Sequence, residues 1–112
     1  MAEKVKEIDL EASLSLEKSG KALFVWVLGA VNTKLVTDTL GIPESDLLVF
    51  YPAELSDAQN PQQFFDGRIP IFVCRHGNTS KVVAAKMMKK GIACYSLEGG
   101  ITKYNPSLEN VI

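Results

Sequence analysis

The chain has 112 residues, of which 46% are hydrophobic, and a formal net charge of −1 at pH 7. This length predicts one domain, residues 1–112, with enough apolar side chains for a packed core without disulfides. The small charge gives no bulk electrostatic case for binding nucleic acid, and no apolar run approaches the roughly 18 residues of a membrane span.

The chain opens with a short strand and a short helix. Residues 5–8 fit an edge strand, and Asp9 is a candidate N-cap for a helix that Gly20 ends. Residues 22–28 are apolar throughout, which is typical of a parallel strand buried on both faces of a sheet.

The next elements follow the same alternation of helix and strand. A helix is predicted between a candidate cap at Asn32 and a stop at Gly41, and residues 47–50 form the next predicted strand. Helical turns are expected at residues 52–57 and 61–65.

The second half of the chain contains the clearest signals. A predicted strand over residues 69–73 precedes a short polar stretch and a helix over residues 81–90, which Gly91 ends. Residues 92–97 form a last predicted strand, and residues 98–100 form a tight turn. Strands that alternate with helices indicate an α/β fold, with a parallel sheet flanked by helices on both sides.

The candidate site lies between the strand at residues 69–73 and the following helix. It consists of Cys74, Arg75, His76, Gly77, Asn78, Thr79 and Ser80. A cysteine there meets the backbone N–H groups of a turn and a helix N-terminus, which favour the thiolate over the thiol. Gly77 gives the backbone room to curl around the sulfur. The stretch therefore predicts an anion carried on, or held beside, Cys74; the plainer alternative is an inert, buried cysteine at the end of the strand.

The side chains of this stretch have plainer interpretations beside the functional ones. Arg75 either orients an anionic donor or partner or is a solvated surface arginine. His76 either donates a hydrogen bond or a proton or is exposed loop. Thr79 and Ser80 bond the sulfur through their hydroxyls, or Ser80 only caps the helix. Cys94 is interpreted as core rather than as a resolving thiol.

The two cysteines also indicate the type of compartment. Their number and spacing fit neither a disulfide framework nor a metal site, and we expect no metal and no cofactor. Residues 1–4 lack the apolar core of a signal peptide. These observations predict a reducing, cytoplasmic location.

The order of these pieces resembles the rhodanese-like domain. The resemblance covers residues 69–104 and consists of an apolar strand, Cys-x-x-Gly-x-x-Ser, an amphipathic helix, Gly, a strand, and Leu-x-Gly-Gly-Ile-x-x-aromatic at residues 97–104. Residues 41–43 and 51–55 are similar to upstream stretches of the family. The resemblance implies a three-layer fold around a central, mostly parallel five-stranded sheet.

Within that family, Cys-Arg-x-Gly-Asn-x-Ser is most similar to the C-terminal rhodanese domain of sulfur-carrier-activating enzymes, which include molybdopterin synthase sulfurylases. The resemblance implies a sulfurtransferase in which Cys74 carries sulfur as a persulfide. It also implies a small sulfur donor or a persulfide-carrying protein, and a ubiquitin-like sulfur carrier in tRNA thiolation or molybdenum cofactor synthesis. It implies no direct contact with nucleic acid or membrane, and either a domain of a longer protein or a stand-alone relative.

An alternative is a rhodanese-like binding or regulatory module with little or no turnover. It is motivated by Trp26 and Leu28, which stand where the family commonly has Asp and Arg. Phosphatase relatives need Cys-x5-Arg, and here the sixth residue after Cys74 is Ser80. Hydrolysis of phosphate esters is disfavoured because the bidentate arginine is missing.

Overall fold

The computed structural model describes residues 4–29 and 32–111, so residues 1–3, 30, 31 and 112 lie outside it. Five strands in the described part form one sheet, namely β1 (Glu7–Ile8), β2 (Ala22–Trp26), β3 (Leu47–Val49), β4 (Ile69–Val73) and β5 (Tyr95–Leu97). Their order is β1-β5-β4-β2-β3, and every neighbouring pair is parallel. The α/β class is confirmed, and the sheet expected to be mostly parallel is parallel throughout.

Helices cover both faces of this sheet. The α-helices are α1 (Leu10–Lys18), α2 (Thr33–Leu40), α3 (Pro52–Ser56), α4 (Asn78–Lys89) and α5 (Ile101–Tyr104). Three 3-10 helices in the described ranges lie at Glu44–Asp46, Pro61–Phe65 and Pro106–Asn110. Residues of α1, α2 and α5 pack into one apolar cluster, and residues of α3 and α4 pack into a second. In the described part of the chain, no helix has the length and apolar character needed to cross a membrane.

Strand β2 shows how one apolar run supports both clusters. Phe24 and Trp26 belong to the cluster with α2 and α5, whereas Leu23 and Val25 belong to the cluster with α3 and α4. Successive side chains of a strand point to opposite faces, so a strand between two helical layers is apolar at every position. The prediction of a strand buried on both faces is confirmed.

Two helix starts differ from the predictions. Asn32 precedes α2 with a left-handed φ of 57°, and its Nδ2 donates to the carbonyl oxygen of Val111 at 2.9 Å. Asn32 therefore occupies the predicted N-cap position of α2, but its side chain makes no capping hydrogen bond. Helix α4 begins at Asn78, three residues earlier than predicted, and Gly77 occupies the cap position. Ser80 consequently lies in the first turn and is not the cap.

Other elements lie close to their predicted positions. Asp9 caps α1, with its Oδ1 accepting a hydrogen bond from the N–H of Ala12 at 2.8 Å. Strand β5 begins at Tyr95 rather than at residue 92, so Cys94 precedes the strand. Because β4 and β5 are parallel neighbours, their carboxyl ends bring residue 74 and the turn at residues 98–100 to one edge of the sheet.

Candidate active site

Cys74 follows β4 directly and is 1% exposed. Its Sγ accepts hydrogen bonds from the backbone N–H groups of Gly77 at 3.1 Å and Ser80 at 3.2 Å. The first N–H groups of an α-helix have no acceptor within the helix, and α4 begins at Asn78. The sulfur therefore takes a donor that the helix itself leaves free.

A pair of buried hydroxyls continues from the sulfur into the sheet. Sγ of Cys74 lies 3.3 Å from Oγ of Ser80, which lies 2.7 Å from Oγ of Ser96 on β5. Both serines are fully buried. A thiol donates to Ser80, whereas a thiolate can only accept, so ionisation turns the Ser80 hydroxyl toward the sulfur and leaves Ser96 to donate to Ser80. Sequence reasoning missed Ser96, although a serine in an otherwise apolar strand was the available signal.

The turn at residues 98–100 and the start of α5 hold the cysteine loop from the side. The N–H groups of Ile101 and Thr102 donate to the carbonyl oxygens of Cys74 and Arg75 at 2.9 and 3.1 Å. The hydroxyl of Thr102 also donates to the Arg75 oxygen, at 2.9 Å. A Cβ on Gly100 would lie 2.4 Å from that oxygen. The loop is therefore clamped mainly by backbone atoms.

A surface depression of about 300 Å³ borders Cys74. It is lined by Leu28, Cys74, Arg75, His76, Asn78 and Thr79. Two somewhat larger depressions are lined in part by Ile69, at the amino end of β4, and therefore lie at the other end of this strand from Cys74. We place the site at the smaller one, because the two amide donors and the clustered polar side chains are there.

The side chains around this depression have distinct surroundings. Arg75 is exposed, and His76 is half-exposed with Nε2 2.7 Å from both carboxylate oxygens of Glu109. Leu28 is half-buried and forms an apolar wall, whereas Trp26 is buried in the core. His76 lies in the exposed loop, as the plainer interpretation predicted, and a carboxylate near the end of the chain also contacts its ring. Glu109 carried no signal in the sequence.

Cys94 has different surroundings from Cys74. It is 5% exposed, and its Sγ lies 3.4 Å from the carbonyl oxygen of Ala84 in α4. Burial disfavours the charged form and raises the pKa of the Cys94 thiol to about 11. These surroundings support the interpretation of Cys94 as a core residue.

The raised pKa of Cys94 leads to a prediction about stability at alkaline pH. The unfolded thiol ionises near 9.0 and the folded one near 11, so the unfolded state binds fewer protons between these values. We expect the stability advantage of the wild type over Cys94→Ala to be full below pH 9 and to fall by about 3 kcal/mol as the pH rises through this window. Urea unfolding of both proteins across the window measures it, and a constant difference would contradict it.

The comparisons with known proteins show structural rather than sequence similarity. The sequence matches no protein-family model and no curated protein. The structure is similar to reduced CoADR-RHD of Bacillus anthracis, with a TM-score of 0.65 and 16% identity, covering 93% of this chain and 17% of that one. It is equally similar to a rhodanese-related protein of Thermoplasma volcanium, with a TM-score of 0.65 and 16% identity, covering 91% of this chain and 92% of that one.

These two likenesses differ in extent. The chain spans 17% of the length of the Bacillus protein but 92% of the length of the Thermoplasma protein. Both alignments include more than nine-tenths of this chain. The described chain has the fold of a rhodanese-like domain.

Proposed function

We propose that this chain is a sulfurtransferase in which Cys74 carries a sulfur atom as a persulfide. The observation that carries the proposal is the convergence of two backbone N–H groups on Sγ, at 3.1 and 3.2 Å. Fixed N–H donors stabilise negative charge in a buried site, and neighbouring dipoles favour a nucleophilic thiolate. The structural likeness to a rhodanese-related protein supports the same class of activity.

The proposed reaction is covalent catalysis in two steps. The Cys74 thiolate attacks the terminal sulfur of the donor, so that a new S–S bond forms while the donor's own S–S bond breaks and its electron pair leaves with the remainder. A nucleophilic acceptor then attacks the terminal sulfur of the persulfide, and the Cys74 thiolate is the leaving group. No external oxidant or reductant is consumed.

The residues of the loop have separate roles in this proposal. The N–H groups of Gly77 and Ser80 stabilise the thiolate, and the Ser80 hydroxyl adds a third donor to it. Arg75 and Asn78 border the depression where the donor binds. His76 and Thr79 complete this lining.

We further propose a small sulfur donor or a persulfide-carrying protein as the source of sulfur. A ubiquitin-like sulfur carrier is the proposed final recipient, and it receives the sulfur through the nucleophilic acceptor of the second step, because its own activated carboxyl terminus is an electrophile. Support comes from the likeness of Cys-Arg-x-Gly-Asn-x-Ser to sulfur-carrier-activating enzymes. We therefore propose tRNA thiolation or molybdenum cofactor synthesis as the pathway in which the chain acts. Two free thiols in the described structure fit a reducing, cytoplasmic location.

Mass spectrometry of the intact protein tests the proposal. After incubation with thiosulfate or a small persulfide, we expect the wild type to gain the mass of one sulfur atom. The gain is lost in Cys74→Ala and retained in Cys94→Ala, the matched control at the buried cysteine. If the folded wild type takes up sulfur from no donor, the proposal is overturned and the alternative of a binding or regulatory module is favoured. If the mass gain persists in Cys74→Ala, another residue carries the sulfur.

A further inference from the structure

The depression beside Cys74 has only one cation without an ion pair among the described residues. Arg75 is that cation, and it is exposed. The second basic group is His76, whose Nε2 lies 2.7 Å from each carboxylate oxygen of Glu109. A negative group is therefore already present one hydrogen bond away from the lining of the depression.

Two lysines that follow the loop and the neighbouring turn are also paired. Lys81 of α4 lies 3.7 Å from a carboxylate oxygen of Glu7, and Lys103 of α5 lies 3.0 Å from one of Glu98. Their charges are offset locally. The surroundings of the depression thus offer one uncompensated positive charge to an incoming anion.

One wall of the depression is apolar. Leu28 lines it, is half-buried, and packs against both apolar clusters of the core. A doubly charged anion beside this wall would lose water without gaining a second charged partner, which is unfavourable. An organic group would instead gain contact area there.

We propose that this pocket selects a singly charged organic sulfur donor over the dianion thiosulfate, with Glu109 as the residue that sets the preference. Arg75 pairs with the single charge, Leu28 contacts the organic group, and the carboxylate of Glu109 repels a second charge. This inference rests on the proposed function of Cys74 as a sulfur carrier.

The step is balanced for a donor such as methanethiosulfonate. The Cys74 thiolate attacks the terminal sulfur, an S–S bond forms, and the donor's S–S bond breaks with its electron pair leaving on methanesulfinate. One negative charge stays on the persulfide and one leaves with the sulfinate. Thiosulfate reacts in the same way and releases sulfite.

The test compares these two donors, which share one shape and differ by one charge and a methyl group. Rate constants for persulfide formation on Cys74 are measured by intact mass in the wild type and in Glu109→Gln, which keeps the size of the side chain. Coulomb energy is proportional to charge. We therefore expect Glu109→Gln to raise the rate constant about ninefold with thiosulfate and about threefold with methanethiosulfonate. Intrinsic donor reactivity cancels in this comparison between variants.

Glu44→Gln is the matched control. Glu44 precedes β3 and therefore lies at the amino ends of the parallel strands, whereas Cys74 lies at their carboxyl ends. Neither rate constant should change in this variant. A second variant, Leu28→Arg, adds a cation to the depression and should raise the rate with thiosulfate relative to methanethiosulfonate, whereas Leu28→Met should keep the wild-type preference. Urea unfolding confirms that each variant is folded.

The outcomes separate this inference from the proposed function. If neither donor loads Cys74, the sulfurtransferase proposal itself fails. If both donors load it but Glu109→Gln changes both rate constants by the same factor, the sulfurtransferase proposal stands and the charge selection is overturned.

Discussion

Gly100→Ala is expected to lower the free energy of unfolding by about 4 kcal/mol and to abolish persulfide formation on Cys74. Gly100 has φ 71° and ψ −174°, a region that is essentially restricted to glycine. Its new Cβ would lie 2.4 Å from the carbonyl oxygen of Arg75 and 2.6 Å from the nitrogen of Gly77. These are backbone atoms that cannot rotate away, and moving the Gly77 nitrogen moves a donor to the sulfur.

Gly91→Ala is the control for the conformational part of this effect. Gly91 also has a positive φ, of 81°, but a Cβ there meets no atom within 4 Å. We expect a loss of about 1 kcal/mol, with normal persulfide formation. Urea unfolding and intact mass give both quantities, and equal effects of the two variants would contradict the close packing of the two turns.

Ser80→Ala is expected to slow persulfide formation about a hundredfold, the order of effect seen when one fixed donor to a developing anion is removed. The variant keeps the Ser80 N–H bond to Sγ but loses the hydroxyl 3.3 Å from it. The thiolate then has two backbone donors and no hydroxyl. The initial rate of mass gain at a limiting donor concentration measures the change.

Ser96→Ala is the matched comparison for Ser80→Ala. Both variants lose the same hydroxyl–hydroxyl contact of 2.7 Å, so both should lose about 1–2 kcal/mol of stability. Only Ser80 touches the sulfur, and the rate in Ser96→Ala should fall just severalfold. Equal rates in the two variants would show that the effect comes from loss of packing.

The parts of the fold that were predictable depend on short-range patterns. The apolar run at residues 22–28 specified a strand with two buried faces, because no polar side chain interrupts it. The cradle around Cys74 was predictable for a similar reason: its donors are three and six residues further along the chain, at Gly77 and Ser80. A turn followed by a helix brings such donors together whatever the rest of the chain does.

The parts that could not be predicted depend on contacts between distant residues. His76 meets Glu109, which is 33 positions away, and Ser80 meets Ser96 from another strand. Asn32 is of a residue type favoured at helix caps, yet its side-chain amide donates to the carbonyl oxygen of Val111. Local propensity cannot anticipate such partners, because tertiary packing decides which of several acceptors a side chain reaches.

The main-chain clamp between α5 and the cysteine loop has a consequence for evolutionary divergence. The amides of Ile101 and Thr102 donate to the carbonyl groups of Cys74 and Arg75. Any residue other than proline supplies the same four main-chain groups at these positions. Mutation can replace the surrounding residues one after another without erasing these four groups. An architecture held in this way tolerates extensive drift, in accord with the 16% identity to proteins of the same shape.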